Sequence, residues 1–318
     1  MSDEPARPAA PLLQVVAGSK IYGGVHAIEA VDFDLRAGEV HSLVGENGAG
    51  KSTLCKAIAG AIQLTGGDIL LDGKPTRFER PRNALDAGIA MVYQETSLVP
   101  TMTVAQNIEL GNEKLVTRFR TLNIQAQQLL QSLNFHVEPN VQVATLGTAK
   151  RQMVEIARAV YHKPRVIIFD EPTASLTPEE ILHFFHLIAD LRARGVGIIY
   201  ISHALEEALQ ISDRITVLRD GKLVVTAPAS ALTREALVRH MVGRDISQTH
   251  YAREKRAAEA PGGGKRRARQ GAGRRERDDG LDGEEHVVLD LRRRGGRHFG
   301  PDRPWCMDRT VGGRGVAG

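Results

Sequence analysis

Nine consecutive residues, Gly45-Glu46-Asn47-Gly48-Ala49-Gly50-Lys51-Ser52-Thr53, constrain this chain more than any other stretch. They fit the spacing Gly-x4-Gly-Lys-Ser/Thr, in which a glycine-rich turn joins a strand to a helix and cradles phosphate. The flanks agree. Val40 to Val44 is a short apolar run suited to a buried strand, and Lys51 to Ala61 has helical character. The glycines let backbone amides wrap close to an anion, and the helix start adds positive potential. Lys51 is expected to bridge the β- and γ-phosphates of ATP, and the Ser52 hydroxyl to ligate Mg2+.

The rest of the pattern places this loop in an α/β sheet with parallel strands. Residues 1–11 form a polar lead-in. From Leu12 to Val44, short β-branched runs alternate with glycine breaks, which predicts a strand-rich opening. Residues from about 95 to 165 read mostly as a helical insertion, clearest over Ile124 to Leu133 and Gln152 to Tyr161. Val166 to Asp170 and Gly197 to Ile201 are wholly apolar but for Asp170, the form of strands buried on both faces. Between them Thr177-Pro178-Glu179-Glu180 makes a capping box that opens a helix. Ile181, Phe184, Phe185, Ile188 and Leu191 line one side of that helix, and Gly195 stops it. Asp220-Gly221 predicts a hairpin turn.

Two strand ends carry candidate chemistry. Val166 to Phe169 delivers Asp170 to a position beside magnesium, and Glu171 is expected across the pleat as the base that polarises an attacking water. His203 ends the next strand, within hydrogen-bonding reach of the same γ-phosphate. Cys55 reads as a small packing residue. The other ten histidines, including His183 and His186, read as structural.

With these residues in hand, the chain resembles the ATPase subunits of ABC transporters, more closely those of bacterial importers for simple sugars. The resemblance covers residues 12–250 and implies a P-loop nucleotide-binding domain with an N-terminal antiparallel β subdomain and an inserted helical subdomain. Tyr22 matches the aromatic that stacks on adenine. Gln94, in Met91-Val92-Tyr93-Gln94-Glu95, matches the glutamine that contacts magnesium and links to the permease. Thr103-Val104-Ala105-Gln106-Asn107-Ile108, Gln152 to Ala159 and Pro172 to Thr177 resemble sugar-group segments.

Two departures stand out. The family signature, Leu-Ser-Gly-Gly-Gln, reads here Leu146-Gly147-Thr148-Ala149-Lys150. In the family it contacts the γ-phosphate held by a second ATPase domain, so Gly147 brings no hydroxyl and Lys150 brings a charge. The other departure is length. Sugar importers carry two such domains in tandem, whereas Glu285 to Leu291 resembles only the first strand of a second, and residues 251–318 read as an Arg/Gly-rich tail. The expectation is a shortened tandem protein that binds ATP well and turns it over slowly.

Composition limits the alternatives. No apolar run approaches the 18 or so residues of a membrane span, and the acidic start has no apolar signal core. Two cysteines make no disulfide framework. The basic excess, 42 Lys and Arg against 38 Asp and Glu, lies from Arg253 onward, leaving the body near neutral. Nucleic acid is therefore not an expected partner. The expected partners are permease subunits, a periplasmic solute-binding protein acting through them, and a second ATPase domain in a homo- or heterodimer. The expected place is the cytoplasmic face of the membrane. A transport-independent ABC ATPase acting on ribosomes or DNA is the alternative.

Overall fold

The computed structural model describes residues 10–94, 97–111 and 119–243. The strand expected over Glu285 to Leu291 and the basic tail lie outside the described residues.

Two sheets organise these residues. The first is antiparallel, with β1 (Leu13–Tyr22), β2 (Val25–Leu35), β4 (Gly66–Leu71) and β5 (Lys74–Thr76) in the order β2-β1-β4-β5. The second has six strands in the order β10-β9-β3-β8-β7-β6. It contains β3 (Val40–Val44), β6 (Ile89–Val92), β7 (Val166–Asp170), β8 (Gly197–Ile201) and β9 (Arg214–Arg219), all parallel. β10 (Lys222–Pro228) returns antiparallel to β9 through Asp220 and Gly221, both at positive φ, as the Asp-Gly pair predicts.

The apolar runs become central strands because both of their faces are covered. Along β7, Ile167 and Phe169 pack on the side of the helices, while Val166 and Ile168 face the antiparallel sheet. β8 repeats the alternation, with Ile198 and Tyr200 on one side and Ile199 and Ile201 on the other. Each fully buried side chain of this size contributes about 1.5–3 kcal/mol. The helical side gathers α3 (Val104–Glu109), α4 (Phe119–Ser132), α5 (Thr148–Tyr161) and α6 (Pro178–Ala193). The other side holds α1 (Lys51–Ile58) between the sheets and α2 (Pro81–Asp86) against β6.

Several boundaries differ from the expectation. α1 stops at Ile58 because Gly60 turns the chain at φ 70°. Helices α4 and α5 each begin earlier than their periodic cores, at Phe119 and Thr148. Between them the chain is loop with one 3-10 turn, Val143–Thr145, so the insertion is less helical than its composition reads. α6 has the expected cap, with Thr177 Oγ1 accepting from Glu180 N and Glu180 Oε2 accepting from Thr177 N. Its buried side is Phe184, Leu187, Ile188 and Leu191, while Ile181 and Phe185 are half-buried.

Candidate functional site

Parallel strands place all their carboxyl ends at one edge of a sheet, and ligands of such sheets bind there. Here β3 runs into the glycine loop, β7 into Asp170 and Glu171, β8 into Ser202 and His203, and β6 into Gln94.

The loop needs its glycines for different reasons. Gly50 sits at φ 103°, where an added Cβ would lie 2.6 Å from Ile28 Cγ2. At Gly45 a Cβ would fall 2.3 Å from the Leu218 carbonyl oxygen. Both are packed from behind by neighbouring backbone. Gly48, at φ 83°, has nothing within 4 Å, so the loop's outer face is open. Lys51 is 5% exposed, and its Nζ donates to the carbonyls of Gly45, at 2.8 Å, and Glu46, at 3.1 Å. Burial lowers its pKa, opposed by the carboxylates of Glu171 and Asp170. A buried ammonium satisfied by neutral carbonyls, with amides around it, is a cradle for a polyanion.

Asp170 is 3% exposed, and Ser52 Oγ donates to it at a long 3.5 Å. Burial raises its pKa, and the Ser52 hydrogen bond works against that rise. Ser52 and Asp170 supply hard oxygens of the kind Mg2+ takes. Among the described residues no cluster of three or more His, Cys, Asp or Glu could hold a metal. Two protein oxygens fill only part of an octahedral shell, so the pair fits an ion that brings phosphate and water oxygens with it.

Glu171 does not continue the pleat, as the sequence suggested. β7 ends at Asp170, and Glu171 turns to φ 52° while its N–H donates to the Ile201 carbonyl at 3.0 Å. This turn brings its carboxylate to both neighbours. Gln94 Nε2 donates to Oε2 at 3.0 Å, and His203 Nε2 lies 2.5 Å from Oε1. His203 itself sits two residues beyond the end of β8. Thus Lys51, Ser52, Gln94, Asp170, Glu171 and His203, drawn from four separate places in the chain, share one edge.

The remaining candidates lie elsewhere. Tyr22 ends β1, 48% exposed, with Lys20 Nζ 5.1 Å from its ring centroid. The following strand is tied to the glycine loop through Ala27 and Ile28, which crowd Gly50. Leu146 to Lys150 form the start of α5, and Gly147 is its N-cap without any side-chain cap. Cys55 is buried and its thiol pKa is pushed up by burial, which suits packing.

Residues 28–174 match the family model described as ABC transporter. Over those residues the chain resembles an ABC transporter domain. The chain is 47% identical over 241 residues to the ribose import ATP-binding protein RbsA 1 of Rubrobacter xylanophilus, covering 75% of this chain and 48% of that protein. Identity is 45% over 260 residues to a putative ribose/galactose/methyl galactoside import ATP-binding protein of Pseudomonas savastanoi pv. phaseolicola, covering 80% and 50%. The chain spans about half the length of these curated relatives. Among solved structures, an ATP-binding cassette of an ABC transporter in its ADP conformation superposes with TM-score 0.64 at 22% identity, covering 76% of this chain and 99% of that one. A dimeric ATP-binding cassette in a post-hydrolysis state, bound to ADP and Pi, gives TM-score 0.63 at 23% identity, covering 68% and 98%. The chain shares the fold of these ATP-binding cassettes over the superposed residues.

Two groups near the site were not singled out as site residues in the sequence. Glu207, on α7 (Leu205–Ile211), accepts hydrogen bonds from Thr173 Oγ1, Tyr200 Oη and Ser202 Oγ. Glu155 of α5 accepts from the backbone N–H and hydroxyl of Ser97, just past Gln94, and pairs with Arg158. Nothing in the spacing of Glu207, in the first turn of α7, announces these partners.

Proposed function

We propose that this chain is an ATP-hydrolysing subunit that energises uptake of a sugar-type solute through an ABC importer permease. The observation that carries the reading is the meeting of Glu171 with Gln94 and His203 at the sheet edge that also presents Lys51 and Asp170. Lys51 and the amides of residues 45–53 grip the β- and γ-phosphates. Ser52, Asp170 and Gln94 would hold Mg2+, which would neutralise charge on the phosphate oxygens. Glu171 accepts the proton of the attacking water, and His203 steadies both that carboxylate and the γ-phosphate. Tyr22 offers its exposed face to the base, and Leu146 to Lys150 face the nucleotide of a second ATPase domain.

Sugar uptake is supported by the names of the relatives, which are ribose and galactose import ATP-binding proteins. Among the described residues no helix is long and apolar enough to cross a membrane. The chain accordingly works beside integral permease subunits at the cytoplasmic face, with a periplasmic binding protein choosing the solute.

The test is a fluorescence titration of the purified chain with ATP and Mg2+, beside a Lys51→Ala variant. Losing one charge-assisted contact predicts affinity weakened by about 1.5–3 kcal/mol, roughly 10- to 100-fold. Equal affinity in both would remove the phosphate cradle from the site. Capture of permease subunits from solubilised membranes supports the importer role, and capture of ribosomal RNA instead would refute it.

A further inference from the structure

We propose that Glu207 is a positioning residue that holds the Glu171–His203 pair in register. Its Oε2 is a common acceptor for three hydroxyls, with Tyr200 Oη at 2.5 Å, Thr173 Oγ1 at 2.9 Å and Ser202 Oγ at 3.1 Å. Thr173 lies two residues after Glu171, and Ser202 lies immediately before His203. All three donors are buried and Glu207 is half-buried, so the carboxylate joins the two strand ends away from bulk water. Ser202 Oγ also accepts from Ala204 N at 3.0 Å, which fixes the backbone on both sides of His203.

The pair needs such support. Glu171 holds a left-handed backbone that costs a non-glycine residue energy and persists only where its surroundings over-determine it. The His203 side chain is 47% exposed, and Glu171 is its hydrogen-bonding neighbour, so its position follows from the backbone of residues 202–204. A charged acceptor binds three hydroxyls more tightly than a neutral one. Glu207 acts through the turns that present Glu171 and His203.

This inference rests on the ATP-hydrolysing reading of the site. Glu207→Gln is expected to slow turnover on the order of 10- to 100-fold, the scale of misplacing a reacting group, while ATP affinity by fluorescence titration holds. In a His203→Ala background the same change is expected to add nothing further. An unchanged rate in the single variant, or a full additional loss in the double, overturns the proposal. Tyr200→Phe, which removes one donor without altering shape, guards against misfolding of Glu207→Gln. It is expected to slow turnover less, again at constant affinity, and an unchanged rate counts against the role. A wild-type chain that neither binds nor hydrolyses ATP brings down the reading of the site itself, and this inference with it. Wild-type turnover that is indifferent to these changes brings down only the role of Glu207.

Discussion

The two ends of the central sheet use the same ionisable side chains to opposite effect. At the amino ends of β3 and β9, Arg214 pairs with Asp34 at 2.7 Å and Glu39 at 2.5 Å. His41 sits among them, its ring nitrogens bonded to the Asp34 carbonyl and to Thr216 Oγ1. The Arg214 guanidinium there faces two carboxylates. At the carboxyl ends, Asp170 and Glu171 are adjacent carboxylates whose mutual repulsion adds to the rise in the Asp170 pKa. Lys51 is turned toward neutral carbonyls. One end closes the fold, and the other holds unbalanced charge for a ligand. Groups at the first should govern stability, and groups at the second turnover.

Glu171→Gln tests the division most severely. It keeps the shape and removes the proposed base, so phosphate release should fall by about 10²- to 10⁴-fold. Thermal stability should hold or rise slightly, because the repulsion of Asp170 is relieved. A lower melting point together with an unchanged rate would reverse the assignment. Arg214→Ala should do the opposite. It leaves the carboxylates of Asp34 and Glu39 without their cation, a change that costs about 3–5 kcal/mol for a buried pair. Urea unfolding should record that loss, with ATP affinity unaltered below the transition. Affinity falling in step with stability would show the two ends to be coupled.

His41 sharpens the same contrast through pH. Burial, and then the nearby Arg214 charge, push its pKa down from 6.5 to about 4. Between these values the folded imidazole stays neutral while the unfolded one binds a proton. The unfolded state therefore gains as pH falls from 6.5 to about 4, and the effect is complete below 4. The shift corresponds to roughly 3 kcal/mol at the acid limit. Denaturant melts across this range should slope accordingly, and His41→Asn should flatten that slope. A slope that survives the substitution assigns the acid loss to other groups.

What the sequence made legible follows from how local each signal is. Val40–Val44, Val166–Asp170 and Gly197–Ile201 could be read to the residue because strands covered on both faces are continuous apolar runs. The cap at Thr177 was equally local. Arg214 and Asp34 stand 180 positions apart, and no pattern along the chain joins them. Glu207 meets Thr173 across 34 positions for the same reason. Glu171 was read as part of a pleat, because nothing in its type announces a positive φ. The site's members were visible as motifs, whereas the contact between Glu171 and Gln94 required the folded sheet.

The start of α5 gives the smallest test and the finest one. Helices α3 and α6 begin at Thr103 and Thr177, each with a hydroxyl that accepts from the third helical residue. α5 begins at Gly147, exposed, with φ −67° and ψ 165° and nothing within 4 Å of an added Cβ. That backbone accepts any residue, so Gly147→Ser fits without strain. As a cap, serine over glycine is worth only a few tenths of a kcal/mol, so the melting point should barely move. As a donor to a phosphate held by a second domain, its hydroxyl is worth about 1.5 kcal/mol or more, roughly tenfold in turnover. The two roles separate by concentration. A rise in rate that grows with chain concentration places the hydroxyl across an interface, while a concentration-independent rate with a slightly higher melting point leaves Gly147 as a helix start and nothing more.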